Sequence, residues 1–286
     1  MEYTKNKDIE GGFYMNNNSI ESENWLNIDG KTIIVTGGNS GIGLHIVNEL
    51  KENGANVVVA DMNVETGKKD GVYNIKTNVT SIDSINAMVY ETVKEYGKID
   101  VLVNNAGINL PRLLVDVYSD EKKYEINEDS FNKMTAVNQK GIVFVTQAVV
   151  RDMLAKKVKG VIINISSESG MEGSVGQSLY SATKGAVNSY TRSWAKELGK
   201  FGIKVVAIAP GINEKTGLTT PAYNEALAYT RNINVDQLDT GYEKSIPLGR
   251  VGKLDEIAYL VTFLASEKSN YITGTVINIS GGKSRG

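Results

Sequence analysis

Tyr180 and Lys184 stand four residues apart in the segment YSATK of a 286-residue chain. On a helix that spacing puts both side chains on one face, a turn apart. A phenol titrates near pH 10 and is a poor base at neutral pH unless something favours its anion. Opposite charges about 4 Å apart, at an effective dielectric near 20, attract by about 4 kcal/mol, or roughly three pKa units. A lysine one turn away is thus able to make the tyrosine a proton acceptor. The pair alone decides nothing, because the same spacing is common on the exposed shoulder of an ordinary helix. Two further groups give it meaning: Ser167 at the end of NISS and Asn138 in VNQKG.

Such groups need a scaffold that gathers separate segments. From Lys31 onward short β-rich runs alternate with helical stretches. The runs are TIIVTG, ANVVVAD, VYNIKTNV, DVLVNNAG, GVIINISS, IKVVAIAPG and TVINISGG. Segments such as SINAMVYETVKEYG and SATKGAVNSYTRSWAKELGKFG carry the helical period between them. Strands that read as nearly continuous apolar runs are buried on both faces, and intervening helices cover them. The expectation is an α/β fold: a single-domain, Rossmann-like doubly wound sandwich with a seven-stranded parallel sheet and helices on both faces. Its domain is expected to run over 29–286, after a polar extension at 1–28 in which Met15 is an alternative start. Two stretches break the rhythm, 108–129 (INLPRLLVDVYSDEKKYEINED) and 212–248 with PAYNEALAYTRN. Both leave from the carboxyl ends of strands, where such sheets bind ligands, so they are the expected substrate cover.

Composition narrows the chemistry. With 41% hydrophobic residues, 22% charged residues and 31 basic against 33 acidic side chains, nothing favours a nucleic-acid partner. No apolar run approaches the roughly 18 residues of a membrane span, and MEYTKNKDIE lacks the layout of a secretory signal. No membrane association is expected, and cytoplasm is the default location. The absence of cysteine rules out disulfides, thiolate catalysis and cysteine-ligated metals. His45 is the sole histidine, so neither a histidine metal site nor a Ser-His-Asp triad can form, and no metal is expected.

The first β-run leads into GNSGIG, with glycines at 37, 41 and 43, and then into the helical IGLHIVNELKENG. Glycines let the backbone turn tightly and approach a pyrophosphate, whose charge is favoured at a helix N-terminus. The strand-turn-helix context favours a dinucleotide site, the competing reading being a merely structural turn. Asp61 ends the second run and can accept hydrogen bonds from both ribose hydroxyls while repelling a 2′-phosphate. Ser40 and Met62 supply no local cation for that phosphate, so NAD is expected over NADP. The competing reading of Asp61 is a solvated helix cap.

Together TGGNSGIG, NNAG at 104–107, VNQKG, NISS, YSATK and PG at 210–211 resemble, in order and spacing, the short-chain dehydrogenase/reductase family over about 29–286. The resemblance implies a nicotinamide cofactor and hydride transfer between an alcohol and a carbonyl. Carried over, it implies a catalytic set of Asn138, Ser167, Tyr180 and Lys184. Tyr180 is the base, Lys184 lowers its pKa and holds the nicotinamide ribose, Ser167 binds the substrate oxygen, and Asn138 positions a proton-relaying water. Ser167 read alone is equally a strand-end turn residue, and Asn138 a tolerated polar residue in a helix. The implied cofactor contacts are Gly37, Asn39, Ser40, Gly41, Ile42, Gly43, Asp61, Asn78, Val79, Asn104, Asn105, Ala106, Gly107, Tyr180, Lys184, Pro210 and Gly211. Two positions depart from the family pattern. Asn78 stands where an aspartate is usual, so a weakened adenine contact is expected. The threonine expected after Pro210-Gly211 comes one place late, as Thr216.

Across NLPRLLVD, MEGSVGQSLYSATKGAVNSYTRSWAKELGK, APGINEKTGLTTPAYNEALAYTRN and YITGTVINISGGKSRG the resemblance sharpens toward members that interconvert D-glucitol 6-phosphate and D-fructose 6-phosphate with NAD. A small sugar-phosphate substrate needs cations for the phosphate and polar groups for the polyol. Arg112, Lys215 and Arg231 in the excursions, and Lys283 and Arg285 in the tail, are candidates, with Glu168 for a hydroxyl. Any one of these cations alone is also an ordinary solvated charge. The resemblance further implies a homotetramer built through helices 130–157 and 179–201. The rival activities are reduction of a 3-oxoacyl thioester and oxidation of another polyol. A non-catalytic NAD-binding regulator is a third reading, but it would be expected to have lost Tyr180 or Lys184.

Overall fold

The computed structural model describes residues 25–238 and 240–284, the side chain of Glu243 excepted. The polar stretch before Trp25, with Met15, and the tail cation Arg285 lie outside the described residues. Ile28 is fully buried in the core and Trp25 stacks on Phe263 with ring centroids 6.4 Å apart. The packed chain therefore reaches upstream of the expected boundary at residue 29.

Eight strands form the sheet: β1 (Thr32–Thr36), β2 (Asn56–Asp61), β3 (Gly67–Lys69), β4 (Val72–Lys76), β5 (Val101–Asn104), β6 (Val161–Ile165), β7 (Lys204–Pro210) and β8 (Val276–Ile279). Their order is β3-β4-β2-β1-β5-β6-β7-β8. The seven expected strands are present and mutually parallel, and β3 is an addition paired antiparallel to β4. It arises from a two-residue hairpin, with Asp70 at φ 51° and Gly71 at φ 80°. Positive φ at both central residues is the backbone of a type I′ turn, which Asp-Gly favours.

Successive strand residues face opposite sides of the sheet. On one side Ile33, Val35, Val57, Val103 and Ile163 pack against α1 (Gly41–Glu52) and α9 (Leu254–Ala265) through Ile46, Leu50, Ile257 and Val261. On the other, Ile34, Val58, Leu102, Ile162 and Val205 meet α2 (Ile82–Tyr96), α4 (Ile142–Ala155) and α6 (Ser178–Leu198) through Ile85, Met88, Val149 and Ala195. Burying a side chain of this size is worth about 1.5–3 kcal/mol relative to leaving it exposed, so these two layers fix the strand register on which the site depends. The lone histidine, His45 on α1, pairs at 2.5 Å with Asp255 on α9.

Between β5 and α4 the chain runs through the first excursion, then α3 (Glu128–Thr135), then a π-helical turn over Ala136–Gly141. The strap after β6 includes the short α5 (Ser169–Glu172), and the second excursion carries α7 (Pro221–Thr230) and the short α8 (Tyr242–Ser245). The two excursions are stitched together. The Tyr229 hydroxyl donates to the Asp116 carboxylate at 3.0 Å, and the Tyr124 hydroxyl to Glu225 at 2.8 Å. Two backbone N–H groups, of Tyr118 and Tyr124, also donate to Asp116. Among the described residues no helix is long and apolar enough to cross a membrane, and no cluster of His, Cys, Asp or Glu could hold a metal ion.

Candidate active site

The strand order reverses at β1, with β2 on one side and β5 on the other. A crevice opens at such a switch point beyond the carboxyl ends of the strands. Here it is a cleft of about 350 Å³ running from Asp61 past Gly37, Gly41 and Asn105 to Tyr180 and Lys184.

The residues present fit a nicotinamide dinucleotide. Ser40 precedes α1 without a side-chain capping bond, which leaves the first N–H groups of that helix open to a pyrophosphate. At Gly37, with φ +65°, an added Cβ would lie 3.0 Å from the Ala106 backbone, and at Gly43 it would run into the Gly37 carbonyl and the Asn105 amide. Both positions admit glycine alone for steric reasons. The Asn105 side chain ties the turn to β5 by donating to the carbonyls of Thr36 and Gly37, each at 3.0 Å. At the other end the Asp61 carboxylate accepts from the N–H groups of Asn63 at 2.9 Å and Asn39 at 3.3 Å. It keeps lone pairs for further donors, as ribose hydroxyls would be.

Not every expected cofactor contact lies there. Asn104 is buried on the far side of the strand end, donating to Thr146 at 2.8 Å and Asn164 at 2.9 Å, and does not line the cleft. Asn105, Ala106, Gly107, Val79, Pro210 and Gly211 do. Asn78 lines it too, but its side-chain oxygen already accepts from the Thr80 amide and hydroxyl. Both lone pairs expected to serve the adenine are thereby engaged. Thr216 packs its Cβ over Gly41, so it covers the glycine turn.

The four candidate catalytic residues converge at the other end. Tyr180 sits in the first turn of α6 and Lys184 one turn later, fixed by an apolar helix face that includes Leu179, Val187 and Ala195. The Tyr180 and Ser167 hydroxyls share a hydrogen bond, which pulls the phenol pKa down, while burial pushes it up more strongly. Lys184 is almost fully buried, its Nζ donating to the Ile165 carbonyl at 2.8 Å. Burial drives its pKa down to about 8. The ammonium lies 5.6 Å from the centre of the Tyr180 ring. Asn138 is fully buried in the π-turn, a feature that recurs at functional sites. Its Nδ2 donates to Ile108 O and Thr183 Oγ1, and its Oδ1 accepts from Ile108 N. One lone pair of Oδ1 remains for a water.

The cations expected for a phosphate scatter. None of Arg112, Lys215, Arg231 and Lys283 lines the cleft, nor does Glu168. Lys283 pairs with Glu168 at 2.8 Å, so the tail cation and the expected hydroxyl ligand neutralise each other. Arg112 donates to its own neighbour Pro111 O and lies 5.4 Å over the Tyr124 ring. Sequence reading overlooked Gln177 and Tyr223, which bond at 3.0 Å beside Tyr180. The available signal was a polar residue directly ahead of the helix that carries Tyr180.

A sequence profile of the short chain dehydrogenase family matches residues 31–226. The chain is 53% identical over 267 residues to the sorbitol-6-phosphate 2-dehydrogenase of Klebsiella pneumoniae, covering 92% of this chain and 99% of that one. It is 38% identical over 266 residues to a 3-oxoacyl-(acyl-carrier-protein) reductase of Thermotoga maritima, covering 90% and 99%. Among solved structures, the 3-ketoacyl-(acyl-carrier-protein) reductase of Brucella melitensis complexed with NADH superposes with a TM-score of 0.74 at 28% identity, covering 90% of this chain and all of that one. The chain belongs to the short chain dehydrogenase family, as an oxidoreductase of the alcohol and polyol type that works with a nicotinamide cofactor, NAD or NADP.

Proposed function

We propose that the protein oxidises D-glucitol 6-phosphate to D-fructose 6-phosphate with NAD, using Tyr180 as general base. The observation that supports the substrate is the 53% identity to the Klebsiella pneumoniae enzyme, which extends over 92% of the chain and so takes in both excursions. Asp61 at the ribose end of the cleft supports NAD. When bound, the nicotinamide accepts the hydride that leaves the carbinol carbon. Ser167 Oγ holds the substrate oxygen, and the phenolic oxygen of Tyr180 takes its proton. Lys184 supplies the positive charge that favours the phenolate, anchored through Ile165 O. Asn138 fixes Ile108 and leaves one acceptor position for a water near Lys184. The reading extends to a homotetramer assembled through α4 and α6, as the family resemblance implies.

An NADH-coupled assay across hexitols and ketoses, with and without phosphate, tests the substrate. The expected catalytic efficiency for D-glucitol 6-phosphate exceeds that for D-glucitol at least tenfold, and equal values would remove the phosphate from the reading. The 38% identity to a 3-oxoacyl reductase favours the rival activity, so a 3-oxoacyl thioester belongs in the same panel. For the cofactor, Asp61→Ser is expected to lower the KM for NADP about tenfold or more by removing the charge that repels a 2′-phosphate. A wild-type enzyme with a lower KM for NADP than for NAD would overturn this assignment.

A further inference from the structure

A phosphate at the end of a hexitol needs a cation with free hydrogen-bonding capacity, placed a few carbons from Tyr180. The basic side chains around the site differ in whether they can supply it. Lys283 is held by Glu168 at 2.8 Å with both side chains largely buried, and Lys123 by Glu225 at 2.8 Å. Lys215 directly precedes Thr216, whose side chain covers Gly41, so its backbone lies beside the glycine turn. Arg112 is a prop: its backbone N–H donates to Gly176 O at 2.7 Å and its guanidinium lies over Tyr124.

Arg231 stands apart. It caps the C-terminal end of α7, and among the described residues no carboxylate forms an ion pair with it. Its Nη2 reaches the Ser174 hydroxyl at 3.5 Å, and its charge acts on Tyr223, about two turns of α7 back along the helix. The Tyr223 hydroxyl accepts from Gln177 Nε2 at 3.0 Å and retains its own proton to donate. Gln177 is buried directly ahead of α6, three residues before Tyr180. The strap 173–177 is seated firmly on α7: Gly176 has φ +75°, and a Cβ there would collide with the Thr230 side chain. Tyr223, bonded to Gln177, thus lies within electrostatic reach of Tyr180 on one side and of Arg231 with Ser174 on the other, and Tyr223, Gln177, Arg231 and Ser174 all stand outside the lining of the dinucleotide cleft.

We propose that Arg231 and Ser174 hold the phosphate of the substrate while Tyr223 and Gln177 bind the polyol hydroxyls between it and Tyr180. The assignment rests on the sugar-phosphate reading above. A guanidinium suits the task because it binds phosphate through two parallel N–H donors. Tyr223 and Gln177 then act as specificity residues, each reading a hydroxyl that an acyl chain lacks.

The test compares D-glucitol 6-phosphate with D-glucitol as substrates of the full-length enzyme with NAD. Arg231→Gln is expected to lower kcat/KM for the phosphorylated hexitol by 10–100-fold, mostly through KM, and to lower it at least fivefold less for the free hexitol. Arg231→Lys should recover part of the loss. Inorganic phosphate should inhibit the wild type competitively against the phosphorylated substrate and inhibit Arg231→Gln at least tenfold more weakly. Equal loss on both hexitols, or an unaltered preference for phosphate, overturns the subsite while the sugar-phosphate reading stands. A wild type that does not prefer the phosphorylated hexitol overturns both.

Discussion

Tyr180→Phe is expected to lower kcat for alcohol oxidation by about three orders of magnitude while leaving nicotinamide binding and folding intact. General-base catalysis by a positioned side chain is worth about 10²–10⁴-fold, and the phenol is the group in the cleft hydrogen-bonded to Ser167. Phenylalanine keeps the ring, so the first turn of α6 stays packed through Leu179 and Thr183. What is lost is one hydroxyl and its bond to Ser167, a change of about 1 kcal/mol in stability. The Tm should therefore move by only a few degrees, and NADH affinity measured by fluorescence should change less than threefold. Burial already holds the phenol pKa above its ordinary value. The base consequently depends on neighbours that favour its anion, which is why deleting the oxygen cannot be compensated by a water in its place. Turnover within tenfold of the wild type would remove Tyr180 from the mechanism.

The sequence shows how much of this arrangement is local. The glycine turn, Asp61 and the Tyr180–Lys184 pair were legible because each lies within one strand end, turn or helix face whose geometry short-range spacing fixes. The parallel strands were legible for a related reason: a strand buried on both faces is written as an apolar run, as in VVVA at 57–60. Strand β3 escaped because it is three residues, Gly67–Lys69, with two lysines and no apolar alternation. The Asp70-Gly71 dipeptide was its visible trace, as the favoured centre of a two-residue hairpin. Asn104 and Asn105 illustrate a subtler limit. Neighbouring residues at a strand end face opposite ways, so one enters the core with Asn164 and the other the cleft, and only the register decides which. Long-range side-chain pairing was hidden altogether. Glu168 and Lys283 lie 115 positions apart, and Gln177 and Tyr223 lie 46 apart. A list of basic residues in the right loops could not say which were already neutralised.

Lys184→Met offers the second large effect, because it separates what the charge does for catalysis from what it does to stability. At charge separations of about 4–6 Å and an effective dielectric of 20, an ammonium favours a phenolate by about 3–4 kcal/mol, or about two to three pKa units. Removing it is expected to lower kcat/KM near pH 7 by about 10²-fold or more and to move the acid limb of the pH profile up by about two to three units. Activity should then recover partly in alkaline buffer; a uniform loss at every pH would point to packing instead. Stability should respond in the opposite sense. Burial depresses the Lys184 pKa to about 8 from its ordinary 10.5, so the folded wild type bears the full burden of a buried cation below pH 8. Between about pH 8 and 10.5 the unfolded chain holds a proton that the folded chain has released, and stability rises with pH. The shift corresponds to about 3 kcal/mol in all. Lys184→Met lacks this titration, while its unpaired Ile165 carbonyl costs it about 1–3 kcal/mol at every pH. Denaturant unfolding of both proteins at pH 7.5 and 10.5 should thus show the wild type gaining on the variant by about 3 kcal/mol across the interval. A constant difference would mean that folded and unfolded chains hold the Lys184 proton alike across the interval, and the burial cost assigned to this cation would fall.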